Sequence, residues 1–280
     1  MGKYFRITIT HSVLVWGVLL MIIPLWLIFA SSTHSNSIIY NEGMQWKVGG
    51  ELIENYDRVL NKKGGFTKEI TASKIFLNSF IMAFGIATLS VIVSMMAAYS
   101  LVYFKTKFSS FFFWAIFITL LVPLELRILP SYQIVSDLNL TNSYAGLILP
   151  LSASAIATFF FRQYFRSIPD ELLEAARMDA ASEWSIYWKI VFPLALPAIA
   201  VLGILSIIWR WNDLILPMIA VSTTKTAYTI QLCLLDFQGE YVAQEHYRLA
   251  MTVVSLIPTT LVFVFLQRYI TSGIASTGIK

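Results

Sequence analysis

Residues Ile75 to Phe104 read IFLNSFIMAFGIATLSVIVSMMAAYSLVYF, a run without a single Lys, Arg, Asp or Glu. About 20 residues at 1.5 Å rise cross the hydrocarbon core of a bilayer, so this run predicts a membrane-spanning helix, long enough to tilt or to extend beyond the lipid. Helix is the economical conformation there, because lipid satisfies no free backbone N–H or C=O. Strict alternation of apolar and polar residues, which a membrane β-barrel would need, is absent. Composition agrees: 57% of the 280 residues are apolar and 13% are charged, against about 25% charged in an ordinary soluble domain.

Outward from this run lie five more apolar stretches. His11 to Ala30 precedes it. Phe108 to Leu124 follows and is expected to continue past the charged residues Glu125 and Arg127. Tyr144 to Phe161 is next, then Ile190 to Trp209, whose first turns hold Pro193 and Pro197. Leu249 to Leu266, interrupted by Pro258, is the last. Lys3 and Arg6 ahead of the first stretch also suit a signal peptide, but an apolar run of about 20 residues exceeds the usual 7–15 of a signal core and favours an uncleaved anchor.

Six spans put both ends on one side. With the ends inside, ten of the 20 Lys and Arg fall on the inside and the other ten lie outside or within spans, so short loops near helix ends decide. The turn Lys105-Thr106-Lys107 is short and basic, whereas Ser31 to Ser73 mixes its lysines with Glu42, Glu51, Glu54, Asp57 and Glu69. Both termini are therefore expected inside. The expected fold is all-α and integral to the membrane: residues 1–10 a cytoplasmic N-terminus, 11–30 the first transmembrane helix, 31–73 an external loop, 74–270 a five-helix core with an inside loop at 166–191, and 271–280 a cytoplasmic tail.

Several function classes drop out. The net charge of +4 contains no basic run, and no stripe of Lys and Arg interleaves with aromatics, so nucleic acid is not an expected partner. The single cysteine, Cys233, excludes an internal disulfide framework and a Cys-cluster metal site. His11, His34 and His246 lie too far apart for a metal-ligand motif. No G-x-x-x-x-G-K-[ST] is present, so the chain cannot itself cradle the phosphates of ATP. An intramembrane protease would need a nucleophile and base buried in the spans; no histidine lies deep in one and no G-x-S-x-G elbow appears.

Two polar segments remain. Gly49-Gly50 and Gly64-Gly65 punctuate the external loop as turns, and Glu51 to Leu60 can form a short amphipathic helix. The loop suits either a solvated cap over the spans or a docking surface for an external partner. Arg166 to Val191 is the longest inside segment and is not loop-like in composition. Ser167-Ile168-Pro169-Asp170-Glu171 reads as a helix start, with Ser167 as cap, Pro in the first turn and two acids near the positive end of the dipole. Leu172, Leu173, Ala176 and Ala180 recur at helical spacing, and Trp184, Tyr187 and Trp188 follow as interfacial anchors. An interfacial helix that merely connects two spans satisfies the same pattern.

The run Glu174-Ala175-Ala176, then Asp179, then Ile190, Pro193 and Pro197, resembles the EAA loop of binding-protein-dependent ABC importer permeases. The family pattern is E-A-A-x-x-D-G-A, then I-x-x-P. Here Ala180 stands where the family has glycine, and Ala favours continued helix, so the bend is expected at Ala181-Ser182 or to be shallower. Asn78-Ser79-Phe80, Ala97-Ala98-Tyr99, the stretch from Asn142 to Pro150, and Trp211-Asn212-Asp213 followed by Pro217 resemble the carbohydrate-uptake, maltose G-type branch. Pro123 to Arg127 with Pro130, and Ser143-Tyr144-Ala145-Gly146, are most similar to the E-type permeases of glycerol-3-phosphate importers. The resemblance runs from about residue 73 to the end, plus the first span.

The resemblance implies a bacterial inner-membrane complex: this chain, a homologous second permease, two ATP-binding subunits that hold ATP and Mg, and an external solute-binding protein. It implies that the helix from Asp170 to Ser182 is a cytoplasmic coupling helix between spans four and five. Glu174, Ala175, Ala176, Asp179 and Ala180 would seat it in the ATPase subunit, the alanines packing closely because they are small. The solute would be a sugar, a polyol or a glycerol-3-phosphate-like molecule. Ionisable residues within spans are costly and usually face a cavity or partner, which singles out Glu125, Arg127, Arg210 and Asp213 for the solute path. The alternatives are an interfacial ion pair for the first two and an i,i+3 structural pair for the last two. A phosphate would suit an Arg; an uncharged sugar would suit Asn212 with Trp209 or Trp211. A secondary transporter is the rival reading, though no clear repeat joins the two halves and the EAA run has no role in it.

Overall fold

The computed structural model describes residues 2–61, 70–104, 106–221, 227–236 and 244–277. Gly64-Gly65, Glu69 and Lys105 of the sequence argument, and the last residues of the expected tail, lie outside them. The described regular structure is helical: α1 Gly2–Ser31, α2 Asn36–Glu42, α3 Leu52–Asn61, α4 Ala72–Tyr103, α5 Ser109–Ile118, α6 Leu124–Asp137, α7 Tyr144–Ile148, α8 Ala155–Phe165, α9 Asp170–Met178, α10 Glu183–Ile186, α11 Phe192–Leu194, α12 Leu196–Trp211, α13 Ile215–Ala220, α14 Ile230–Asp236 and α15 Glu245–Thr277.

Within α1, α4 and α15, the segments Tyr4–Ser31, Ala72–Tyr103 and Glu245–Phe265 are each long and apolar enough to cross a membrane. Three bent pairs pass the same test when each is taken together, which allows up to six crossings. The bends correct the expected continuous spans. The third stretch does not run on past Glu125 and Arg127: it breaks at Val122-Pro123, where Pro123 holds its predecessor extended (φ −90°, ψ 111°), and α6 then starts afresh. The fourth bends by 49° between Leu151 and Ala155. Ser154 restarts the helix by accepting the Ala157 N–H at 3.2 Å. The fifth begins earlier than its apolar run, at α10, passes through a widened π turn at Tyr187–Val191, and bends by 73° before α12. The expected interruption of the sixth does not occur, since α15 continues through Pro258. Pro258 removes only the amide that would reach the Val254 carbonyl, a small loss in so long a helix.

The chain divides into two compact units. The first, Met1–Ile75 with Leu232–Pro258, is organised by a buried polar knot where α1 ends. Ser31 Oγ accepts the Gln45 N–H at 2.8 Å, Thr33 Oγ1 accepts the Gly49 N–H at 2.6 Å, and Asn55 Nδ2 donates to the carbonyls of Ser32 and His34. A side chain at Gly49 would meet the Thr33 carbonyl at 2.5 Å, so the backbones can close only around a glycine. The amphipathic helix expected at Glu51 to Leu60 appears as α3. Along α1 the apolar side chains stand exposed on all sides, as suits a helix solvated by lipid.

The second unit, Phe76–Gln231 with Thr259–Lys280, holds the residues expected to carry function. Its core gathers Met95, Ala98, Tyr99 and Tyr103 of α4, Phe161 and Phe165 of α8, Leu173 of α9, and Ile186, Tyr187 and Val191. Asn78 and Ser79, noted in the sequence at the start of the second run, are buried ties. Asn78 Nδ2 donates to the Tyr228 carbonyl at 2.9 Å, Tyr144 donates to Asn78 Oδ1 at 2.6 Å, and Ser79 Oγ accepts the Ile230 N–H at 2.8 Å.

Candidate functional site

The segment 166–191 folds as two short helices with a turn between them. Ser167 is not the cap expected of it: its hydroxyl donates to the Tyr164 carbonyl at 2.6 Å, and Pro169 stands at the N-cap with Asp170 and Glu171 in the first turn. Nor does the helix reach Ser182. It ends at Met178, and the chain reverses at Ala180, whose φ is +58°. The Ala181 N–H donates to the Ala176 carbonyl and the Ala180 N–H to that of Arg177, both at 3.0 Å. These are the two bonds of a Schellman ending, with alanine where glycine is usual. The bend therefore falls at Ala180 itself, not at Ala181-Ser182. The left-handed conformation costs an L-residue about 1–2 kcal/mol, and the two turn bonds hold it. Ser182 then caps α10 by accepting the Ser185 N–H at 3.3 Å.

α9 has two distinct faces. Leu173 is buried, and Ala176 packs half-buried against the core. Glu171, Leu172, Glu174, Ala175, Met178 and Asp179 are exposed, Met178 at 88%. Of the two adjacent alanines, then, only Ala175 stands free for a partner.

A brace fixes α9 to the second span. Arg177 Nε donates to Glu183 Oε1 at 2.8 Å and Nη2 to Oε2 at 3.3 Å, while the Tyr99 hydroxyl donates to Oε2 at 2.6 Å. The hydrogen bond to Glu183 holds the Arg177 guanidinium above its ordinary pKa. Tyr99 lies edge-on to Tyr187 with ring centres 5.2 Å apart, and Tyr103 donates to the Phe165 carbonyl at 3.0 Å. Trp184 stacks on Tyr187 and stays exposed, as an interfacial anchor would. Sequence reasoning missed Glu183 and the role of Tyr99. The only signal was an acid just after Ser182, a position that reads equally well as the first turn of a helix.

The proposed path residues are not brought together as one site. Glu125 and Arg127 are exposed at the start of α6, two positions apart, a spacing that does not face them to each other; among the described residues they form no ion pair. Arg210 Nη1 donates to Asp213 Oδ2 at 2.9 Å, with Asp213 nearly buried and Arg210 partly so. Trp211 is buried, packed near Phe76 with ring centres 6.3 Å apart. Asn212 ends α12 and donates to the Ile208 carbonyl at 2.8 Å, while Gln231 Nε2 donates to the Trp211 carbonyl at 3.3 Å. Trp209 is exposed.

With this geometry in place, the similarities to known proteins gain a structural meaning. A family described as "Binding-protein-dependent transport system inner membrane component" matches residues 70–276. The sn-glycerol-3-phosphate transport system permease protein UgpE of Shigella flexneri serotype 5b (strain 8401) is 35% identical over 269 residues, covering 96% of this chain and 95% of its own. Its counterpart in Yersinia pestis bv. Antiqua (strain Antiqua) is 36% identical over 269 residues, covering 95% of each. In a crystal structure of a bacterial ABC transporter involved in the import of the acidic polysaccharide alginate, one chain matches with a TM-score of 0.78 at 26% identity, over 94% of this chain and 96% of that one. The match takes in both the α9–α10 segment and the bent spans, so the secondary-transporter alternative gives way: this chain belongs to the family of inner-membrane components of binding-protein-dependent transport systems, and it is a permease subunit of an ABC importer rather than an enzyme.

Proposed function

We propose that this permease forms half of a translocation path with a homologous second permease, receives its solute from an external binding protein, and is driven by two ATPase subunits that hold ATP and Mg. Both termini and α9 lie on the cytoplasmic side. The solute is a sugar, a polyol or a glycerol-3-phosphate-like molecule. The observation that carries the coupling role is the two-faced build of α9: an outer face on which Glu171, Glu174 and Asp179 alternate with exposed Leu172, Ala175 and Met178, over an inner face locked to the core by Leu173 and the Arg177–Glu183–Tyr99 brace. Glu174 and Asp179 supply polar contacts to the ATPase subunit, Ala175 allows close approach, and Ala176 and Ala180 set the helix on its seat and end it. A helix held this way transmits a displacement instead of absorbing it, as coupling through a packed element with two positions requires.

The test is solute-stimulated ATP hydrolysis and subunit co-purification in the complete importer, comparing the native chain with Glu174→Arg and Ala175→Trp. Stimulated hydrolysis should fall roughly ten-fold or more, within the usual range of inter-site coupling, while the chain still inserts. If both variants hydrolyse and transport as the native chain does, α9 is only a connector between spans.

A further inference from the structure

A cavity of about 190 Å³ lies in the second unit, walled by α4, by the break in the fourth span with α8, and by α12. It is smaller than the roughly 300–1,000 Å³ of sites for drug-sized ligands, the scale of one small solute. Ser90, Ser154 and Ser206 line it together with Trp209 and Arg210. Ser90 is 5% exposed, and neither its hydroxyl nor that of Ser206 has a hydrogen-bond partner among the described residues. Ser154 Oγ accepts the Ala157 N–H and keeps its own proton to donate. A cavity with three hydroxyls and a guanidinium is unfavourable against lipid, so it faces water or a transported molecule. A broken span beside it is the arrangement by which membrane proteins bring polar backbone to a bound solute.

The charge balance narrows the ligand. Among the described residues Arg210 is the sole ionisable one in the lining, and its guanidinium is already paired with Asp213, whose side chain is 8% exposed. The cavity thus offers hydroxyls, an aromatic face and guanidinium donors, but no uncompensated positive charge. A phosphate dianion would enter a site whose one cation is already neutralised; a hydroxyl-rich neutral molecule meets donors and acceptors in balance. We infer that this cavity is a transport subsite for an uncharged polyhydroxylated solute, a sugar or polyol. Ser90, Ser154 and Ser206 hydrogen-bond its hydroxyls, and Trp209 covers its C–H face. The inference rests on the permease reading above and selects among the solutes left open there.

The complete importer, with its own binding protein and ATPase subunits, is reconstituted in proteoliposomes. ATP-dependent uptake is measured for glucose, glycerol and sorbitol and for the phosphate esters sn-glycerol-3-phosphate and glucose-6-phosphate. Uptake is expected for a neutral compound and not for the esters. Because the binding protein captures the solute first, transport is read at saturating loaded binding protein, where Ser90→Ala combined with Ser206→Ala should lower the uptake rate of that compound about ten-fold, the effect of two lost hydrogen bonds. Asp213→Asn, which frees the charge of Arg210, should shift relative uptake toward the esters; if that variant fails to assemble, the serine variant decides. Uptake confined to a phosphate ester, or a neutral solute whose uptake rate at saturating loaded binding protein ignores the serine changes, overturns the inference while leaving the permease reading intact. Absence of ATP-dependent uptake of every compound overturns both.

Discussion

Ala180 shows how a residue can act against its own preference. Alanine is the best helix former, yet here it occupies a left-handed turn at φ +58°, because two backbone bonds and the Ser182 cap gain more than the conformation costs. Ala180→Gly should therefore stabilise the permease by about 1 kcal/mol, read as a higher thermal midpoint in detergent. Ala180→Val, stiffer at its branched carbon, should lower the midpoint. The brace makes a second residue-level prediction. Removing the Tyr99 hydroxyl with Tyr99→Phe leaves the Glu183 carboxylate held by Arg177 alone, a pair exposed enough to be worth only about 0.2–1 kcal/mol. Assembly should survive, while solute-stimulated ATP hydrolysis falls relative to the basal rate. Equal stimulation in both proteins would confine the hydroxyl to a packing role. Of this the sequence offered only a bend, through the glycine of the family pattern, and expected it one or two residues late. Residue type argued for helix at Ala180, and Arg177 and Glu183 meet across a turn, so no fixed spacing announces them.

At the scale of elements, the sequence was most readable where one property runs unbroken. The charge-free run from Ile75 to Phe104 became α4, Ala72–Tyr103, within a few residues at its N-terminus. Breaks were read less well, since an apolar window reports how oily a segment is and not whether its backbone stays continuous. Pro123 and Pro150 were visible but their force depended on context, as the unbroken passage of α15 through Pro258 demonstrates. The faces of α9 were half legible: helical spacing picked Leu173 and Ala176 as inward, but it also picked Leu172 and Ala180, which are exposed. This separation predicts opposite phenotypes for neighbouring residues. Ala176→Trp overfills the seat of the helix and should destabilise the chain by about 1–3 kcal/mol, seen as a lower thermal midpoint. Ala175→Trp should leave the midpoint unchanged and weaken recovery of the ATPase subunit. A further tight spot is Gly146, where a Cβ would collide with the Leu140 carbonyl oxygen; Gly146→Ala should lower the midpoint of the whole second unit.

For the molecule as a whole, composition and span count carried the membrane assignment, and ordered motifs carried the family. The nominated path residues divide: Trp209 and Arg210 line a cavity of about 190 Å³ in the second unit together with Ser90 and Ser206, ordinary serines in apolar runs, whereas Trp211 and Asn212 are engaged in holding the end of α12. Only packing distinguishes these cases. The proposed orientation makes a prediction at this scale. With Cys233 replaced by serine, Tyr40→Cys should react in intact cells with a membrane-impermeant maleimide, and Met178→Cys should react only after permeabilisation. Both native side chains are exposed in the chain, at 85% and 88%, and with the permease expressed without its ATPase subunits, which would cover α9, failure to label would report sidedness and not burial. The reverse pattern would invert the assigned topology.

The turn at Ala180 also bears on how such chains are found. Its shape is written in two carbonyl-to-amide pairings that any residue able to bear φ near +58° can complete, and the same pairings recur at Asn139, whose N–H reaches the Ser136 carbonyl while that of Leu140 reaches Val135. A text pattern that demands glycine at this position would discard the present chain despite an intact joint. A descriptor built on the pairings would retain it, and would also let a protein engineer graft the joint onto another helix pair without importing the glycine.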